Sequence, residues 1–134
     1  MNSPASSQHK RPVRVLLIED DEATRVLYRA YLEGAQYKVA DVTDGESGAL
    51  KLTEFRPDIV ITDIFLPEKD GLEVILEARK TNTKIKVIAV SGGTGRVEGD
   101  DYLEIAQLFG ASKTLLKPVS KQDLLDACIE VNSD

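Results

Sequence analysis

Residues 14–22 read R-V-L-L-I-E-D-D-E. Four apolar side chains run directly into four carboxylates, Glu19, Asp20, Asp21 and Glu22. An unbroken apolar run of this length suits a strand covered on both faces. Carboxylates crowded at the end of such a strand repel one another, and burying them unpaired is costly. Either they are a solvated helix start, since acids favour the first turn of a helix, or other residues converge there to offset the charge. Asp21 and Glu22 fit the first description, as first-turn residues of a following helix. Glu19 and Asp20 need the second.

Four more β-type runs follow: Y-K-V-A-D-V (37–42), D-I-V-I-T (58–62), K-V-I-A-V (86–90) and K-T-L-L-K (113–117). Amphipathic helical patterns separate them. Residues 22–33 space Ala23, Val26, Leu27, Ala30 and Tyr31 along one face, with Gly34 as a stop. Residues 45–55 carry Ala49, Leu50 and Leu52 and end before Pro57. Residues 71–80 carry Leu72, Ile75, Leu76 and Arg79, and residues 100–109 carry Tyr102, Ile105, Ala106 and Phe109, followed by Gly110. Residues 120–131 open on S-K-Q-D, a Ser cap with an acid three positions on, then show Leu124, Leu125, Cys128 and Ile129. Strand and helix alternate five times. The expected fold is α/β, a five-stranded parallel sheet with helices on both faces. In such sheets the ligand site lies beyond the carboxyl ends of the strands. That edge collects Glu19 and Asp20 from the first strand, Asp63 from the third, Ser91 and Gly92 from the fourth, and Lys117 with Pro118 from the fifth. Taken singly, Asp63 and Ser91 could be turn residues and Lys117 a solvated lysine. Their arrival at one edge favours a shared role: the acids can hold a hard divalent cation, which prefers carboxylate oxygens.

Composition narrows the function. The chain has 134 residues, enough for one core, with 42% hydrophobic residues and a net charge of −6. An acidic balance argues against direct nucleic-acid binding. Cys128 and His9 are the only residues of their kinds, which removes an intrachain disulfide, a His/Cys zinc site and a histidine triad. No apolar run approaches the roughly 18 residues of a membrane span, and residues 1–12 have no secretory apolar region and read as a flexible tail. The expected organisation is a tail over 1–12, a domain over 13–131 and a short tail over 132–134. G-G-T-G-R-V-E-G (92–99) has neither the spacing of a P-loop nor the position of a dinucleotide fingerprint.

Four segments, V-L-L-I-E-D-D-E, I-T-D-I-F-L-P-E-K-D-G-L-E, V-I-A-V-S-G-G and G-A-S-K-T-L-L-K-P, taken in order, resemble the receiver domain of two-component response regulators. The stand-alone chemotaxis type is the nearest in form, and the likeness covers residues 13 to about 131. The resemblance implies a flavodoxin-like (βα)5 fold with strand order 2-1-3-4-5. It implies Asp63 as phosphoacceptor, and Mg2+ (with Mn2+ as substitute) held by Glu19, Asp20, Asp63 and the backbone carbonyl of Phe65. Asp20 would be the direct ligand, with Glu19 acting through water. Ser91, Gly92 and Lys117 would bind the phosphoryl group, Pro118 would follow a cis peptide that orients Lys117, and Pro67 and Gly71 would form the turn after the acceptor. The implied donor is a phosphohistidine on a sensor histidine kinase or histidine phosphotransfer domain. The implied output is a protein contact through the helix 4–strand 5–helix 5 face, roughly residues 100–131, or onward phosphotransfer, in the cytoplasm, with no separate substrate turned over. Two other readings stand beside it: a degenerate receiver acting without phosphorylation, and an aspartate-nucleophile phosphatase, which normally places D-x-D after the first strand.

Three features depart from the pattern. Phe65, two residues after Asp63, is large and apolar, and would screen an acyl phosphate from water. The segment between Ser91 and Gly110 is a few residues long for the family, with three glycines between 92 and 95, either a tolerated insertion or a loop that reorders on phosphorylation. Thr114 stands where many members carry an aromatic switch residue, and Tyr102 is the candidate substitute.

Overall fold

The structure is a computed structural model that describes residues 11–66, 70–92 and 99–133, with the side chains of 99–103 left undescribed. Ten elements alternate: β1 (Arg14–Ile18), α1 (Glu22–Gly34), β2 (Lys38–Val42), α2 (Gly45–Glu54), β3 (Ile59–Asp63), α3 (Gly71–Thr81), β4 (Lys86–Ser91), α4 (Gly99–Phe109), β5 (Lys113–Leu116) and α5 (Lys121–Asn132). All strand pairings are parallel, in the order β2-β1-β3-β4-β5. The expected strands and strand order are both present.

Parallel strands need cover on both sides, and the alternation of side chains supplies two cores. Val15, Leu17, Ile59, Ile61, Ile88 and Val90 pack under α1 and α5, against Tyr28, Leu32, Leu124 and Cys128. Leu16, Ile18, Val60, Val87 and Ala89 pack under α2, α3 and α4, against Leu52, Val74, Ile75, Ala78 and Ala106. The central strands are buried beyond the first residues of β1 and β4, Arg14 and Lys86, whereas the edge strands β2 and β5 are only partly covered. Short polar side chains start the helices: Asp21, Asp44, Asp70 and Ser120 accept from the backbone N–H three residues on, in Thr24, Ser47, Glu73 and Asp123. Asp21 is therefore the cap of α1, with Glu22 in its first turn.

The core face of α1 differs from the sequence expectation. Val26 and Leu27 are 60% and 47% exposed, while Tyr28 and Leu32 are buried. The buried stripe is Arg25, Tyr28 and Leu32, one turn apart at each step; a count of apolar side chains misses it because Arg25 occupies the first position. The left-handed residue ending α1 is Gln36 (φ 75), not Gly34, which is helical. In α2, Leu50 is 69% exposed, and Gly45 and Gly48 share the buried face with Leu52. A Cβ on Gly48 would lie 2.4 Å from Ile18 Cδ1. The sheet side of α2 is thus made by small residues, which hydrophobic periodicity does not register.

Gly71 meets a harder constraint. A Cβ there would stand 2.3 Å from the Asp63 carbonyl oxygen and 2.7 Å from Ile64 Cα, both backbone atoms. Its N–H donates to the Ile64 carbonyl at 2.9 Å. The start of α3 is thereby pressed onto the end of β3. Ile18 can rotate away from a new methyl group, but the backbone at 63–64 cannot. Gly71→Ala is expected to lose about 1–3 kcal/mol of unfolding free energy in urea, and Gly48→Ala distinctly less. Equal losses would show that the 63–71 approach is not the tighter one.

Candidate functional site

Strand register decides which side chains meet. Ile18 pairs with Thr62, Asp63 with Val90, and Ser91 with Leu116. One residue past the end of each strand, Glu19 therefore stands beside Asp63, and Gly92 beside Lys117. Carboxylate oxygens of Glu19, Asp20 and Asp63 lie within 4.8 Å of one another. Lys117 Nζ reaches between two of them, 2.7 Å from Asp63 Oδ2 and 3.0 Å from Glu19 Oε1. Backbone donors hold the remaining oxygens: Phe65 N–H donates to Asp63 Oδ1 and Asp21 N–H to Glu19 Oε2, each at 3.0 Å. Lys117 is anchored by its own N–H, which donates to the Ser91 carbonyl at 2.8 Å, and the Lys117–Pro118 peptide is cis, as expected.

Glu19, Asp63 and Ser91 are buried, Asp20 is exposed, and Phe65 is half-buried. The Ser91 hydroxyl has no hydrogen-bond partner among the described residues, although it is shut off from solvent. A buried hydroxyl left without a partner costs about 1–3 kcal/mol. Gly92 is exposed and lies along the Lys117 stem. Thr114 is half-buried opposite Ala89. Gly71 makes the close turn described above; Pro67, the glycine-rich stretch at 93–98 and the side chain of Tyr102 lie outside the described residues.

The electrostatics are unbalanced by design of the chain. Three carboxylates face one ammonium, which leaves a formal charge of −2 at the cluster. Burial pushes the Glu19 carboxyl up, against the Asp21 hydrogen bond and the charge of Lys117. Burial alone would lower the Lys117 ammonium, but the hydrogen bond and charge of Asp63, then those of Glu19, outweigh it and raise it. Both values rise, which disfavours the Glu19 anion but favours the Lys117 cation: Glu19 is almost fully enclosed, whereas Lys117 is a quarter exposed and has two anionic partners. Oxygen donors, a residual double negative charge and an exposed approach through Asp20 suit a hard divalent cation. Arg25 was not singled out in the sequence, yet it donates to the Glu19 carbonyl at 3.0 Å.

Comparison with known proteins agrees with this fold. The family model of the response regulator receiver domain matches residues 15–129. The chain belongs to that family. Among curated relatives it is 33% identical over 112 residues to the transcriptional regulatory protein RprY of Bacteroides fragilis (strain YCH46), covering 84% of this chain and 46% of that one. It is 35% identical over 115 residues to the transcriptional regulatory protein AfsQ1 of Streptomyces coelicolor, covering 86% and 48%. The chain thus spans about half the length of the curated relatives it matches. A CheY-like response regulator receiver domain protein from Methanospirillum hungatei JF-1 superposes with a TM-score of 0.80 at 27% identity, covering 92% of this chain and 96% of that one. A receiver domain protein from Clostridium thermocellum gives 0.82 at 28% identity, covering 90% and 94%.

The Lys117 pairing sets a pH dependence. A lysine raised in the fold contributes stability that is present below its ordinary value and lost as the pH climbs through its folded value. Glu19, raised in the fold, works in the opposite sense: its charge costs stability at neutral pH, and that cost is relieved as the pH falls through its raised value. Lys117→Met removes the ammonium that bridges two of these carboxylates, and is expected to lose about 3 kcal/mol or more at neutral pH. The deficit should shrink as the pH falls from neutral through the raised value of Glu19, whose carboxyl then takes up a proton. Urea unfolding of both proteins across that range checks this; a deficit independent of pH would place its origin in packing rather than charge.

Proposed function

We propose that the protein is a phosphoacceptor switch in which Asp63 takes a phosphoryl group from a phosphohistidine donor. The observation that carries this reading is the Glu19–Asp20–Asp63 carboxylate cluster bridged by Lys117, with the unpartnered Ser91 hydroxyl one residue beyond the Asp63–Val90 pair. Phosphoryl transfer needs in-line placement and charge neutralisation more than covalent chemistry from the protein. A carboxylate oxygen of Asp63 attacks phosphorus as the P–N bond to the donor imidazole breaks; the imidazole leaves and takes its proton from solvent. Lys117, already on Asp63, moves its ammonium onto a phosphoryl oxygen. Ser91 gains the hydrogen-bond partner it lacks. The Phe65 N–H, now on Asp63 Oδ1, holds the 63–65 turn on which its carbonyl lies.

Glu19, Asp20, Asp63 and the Phe65 carbonyl would hold Mg2+, or Mn2+ in its place. When bound, the ion supplies the positive charge that three carboxylates against one ammonium leave wanting. Asp20, exposed and beside the cluster, would be the direct ligand; Glu19, with both oxygens engaged by Lys117 and Asp21, would act through water. A phosphoryl group on Asp63 adds charge at the end of β3, and closure of Ser91 upon it draws in the start of the following loop, a local charge event biasing a two-state surface.

The donor in this reading is a sensor histidine kinase or a histidine phosphotransfer domain, in the cytoplasm, and the protein turns over no separate substrate. No helix among the described residues is long and apolar enough to cross a membrane. Output passes by protein contact through α4, β5 and α5 or by onward transfer. Leu108, Ile129 and Leu116, 85%, 60% and 48% exposed, are among the apolar residues that these elements offer.

Incubation with acetyl phosphate and Mg2+ should add one phosphoryl mass to the intact protein and none to Asp63→Ala. Uptake by the variant, or by wild type in the presence of a chelator, would overturn the assignment. Phe65 borders the acceptor and its bulk screens the acyl phosphate from water, so Phe65→Asn should lose the phosphoryl group faster than wild type. An unchanged or longer lifetime would remove that role from Phe65.

A further inference from the structure

Arg25 lies outside every motif that points to the acid cluster, yet its guanidinium is turned inward from the first turns of α1. Its side chain is 16% exposed. Nη1 donates to the Glu19 backbone carbonyl at 3.0 Å, and Nε lies 3.3 Å from Asp41 Oδ2 on the edge strand β2. Asp41 also accepts from Arg29 Nη1, and Arg29 Nε pairs with Glu33 at 3.0 Å. Arg25 is therefore held in place by a carboxylate from β2 that a second arginine steadies.

The contact on Glu19 is to the peptide, not the carboxylate. That carbonyl belongs to the planar unit joining Glu19 to Asp20, so a donor on its oxygen fixes the direction in which the chain leaves Glu19. It thereby fixes where the Asp20 carboxylate begins. From the other side, the Glu19 N–H donates to the Val42 carbonyl of β2 at 3.1 Å. The N–H and the carbonyl of Glu19 are thus both tied toward the β2 edge of the sheet, at the point where β1 has run out of ladder.

We propose that Arg25, oriented by Asp41, is a positioning residue for the cation site: it locks the Glu19–Asp20 peptide so that the two carboxylates face Asp63 together. This rests on the reading of the acid cluster as a divalent-cation site. A guanidinium so near a cation site is unfavourable on charge alone, since like charges repel. Electrostatics and positioning therefore have opposite signs. If Arg25 acts only as a nearby charge, removing it tightens Mg2+ binding; if it positions ligands, removing it weakens binding.

The test is Mg2+ titration of the whole protein, followed by backbone amide NMR shifts, with thermal unfolding recorded on the same samples. Arg25→Gln is expected to bind Mg2+ about tenfold more weakly, the scale at which groups that orient metal ligands contribute. Arg25→Lys keeps the charge but replaces the two rigidly spaced donors, Nη1 and Nε, by one nitrogen, and is also expected to bind more weakly than wild type. Arg29→Gln cuts the same network without touching Glu19 and should bind Mg2+ as wild type does, whatever it loses in stability. Arg25→Gln binding as tightly as wild type or tighter overturns the proposal, as does an equal weakening in Arg29→Gln. Should Arg25→Gln not fold, the Lys variant decides by the same comparison. Wild type that binds no Mg2+ overturns the cation reading itself and this proposal with it, a result separate from the others.

Discussion

Lys117 between Asp63 and Glu19 is the interaction on which the rest of the site depends. A single ammonium, 2.7 and 3.0 Å from two buried carboxylates, makes it tolerable for β1 and β3 to end in acids side by side. Removing one partner of such a buried cluster leaves uncompensated charge, the costly case for buried ions. The pairing also stops short of neutrality, because Asp20 joins the same oxygen cluster. The fold thus holds a standing charge deficit at the carboxyl edge of its sheet. A cation relieves that deficit, and an added phosphoryl group changes it again. Structures that store such imbalance at a functional site commonly sacrifice some stability to do so.

The scaffold delivers this geometry through backbone constraints. Parallel register sets Glu19 beside Asp63, and the Lys117 N–H on the Ser91 carbonyl ties the lysine to the neighbouring strand end. Gly71 lets α3 begin against the backbone of Asp63 and Ile64, where any side chain would collide. The start of α3 is therefore held against the end of β3, where the Phe65 N–H reaches back to Asp63 Oδ1. The buried Ser91 hydroxyl, at the same edge, has no hydrogen-bond partner among the described residues. In a well-packed region such a group marks a place where something else is meant to bind.

Much of this was legible in the sequence because the topology does the placing. Unbroken apolar runs identify doubly covered strands, and once strands and helices alternate, the residues at strand ends must share an edge. Glu19, Asp63, Ser91 and Lys117 were found that way. The strand order came only through family resemblance, since alternation allows several orders. Helix faces were read less well. In α1 the buried stripe begins with Arg25, whose charge is spent on Asp41 and a carbonyl, so a periodicity built on apolar side chains settled on Val26 and Leu27, which face outward. In α2 the packed face is Gly45 and Gly48, invisible to any hydrophobic count. Arg25 itself carried no signal in the sequence, because its partners, a carbonyl at Glu19 and a carboxylate on β2, become neighbours only in the folded sheet.

The central claim is that the acid cluster is a divalent-cation site rather than a surface accident, and the most direct measurement is urea unfolding across a series of Mg2+ concentrations. A ligand that binds only the folded state raises stability in proportion to the logarithm of its concentration above its dissociation constant. The account predicts a midpoint that climbs with Mg2+ in the wild type and stays flat in Asp20→Asn. A wild-type midpoint that does not respond to Mg2+, or one that climbs equally in the variant, would contradict it.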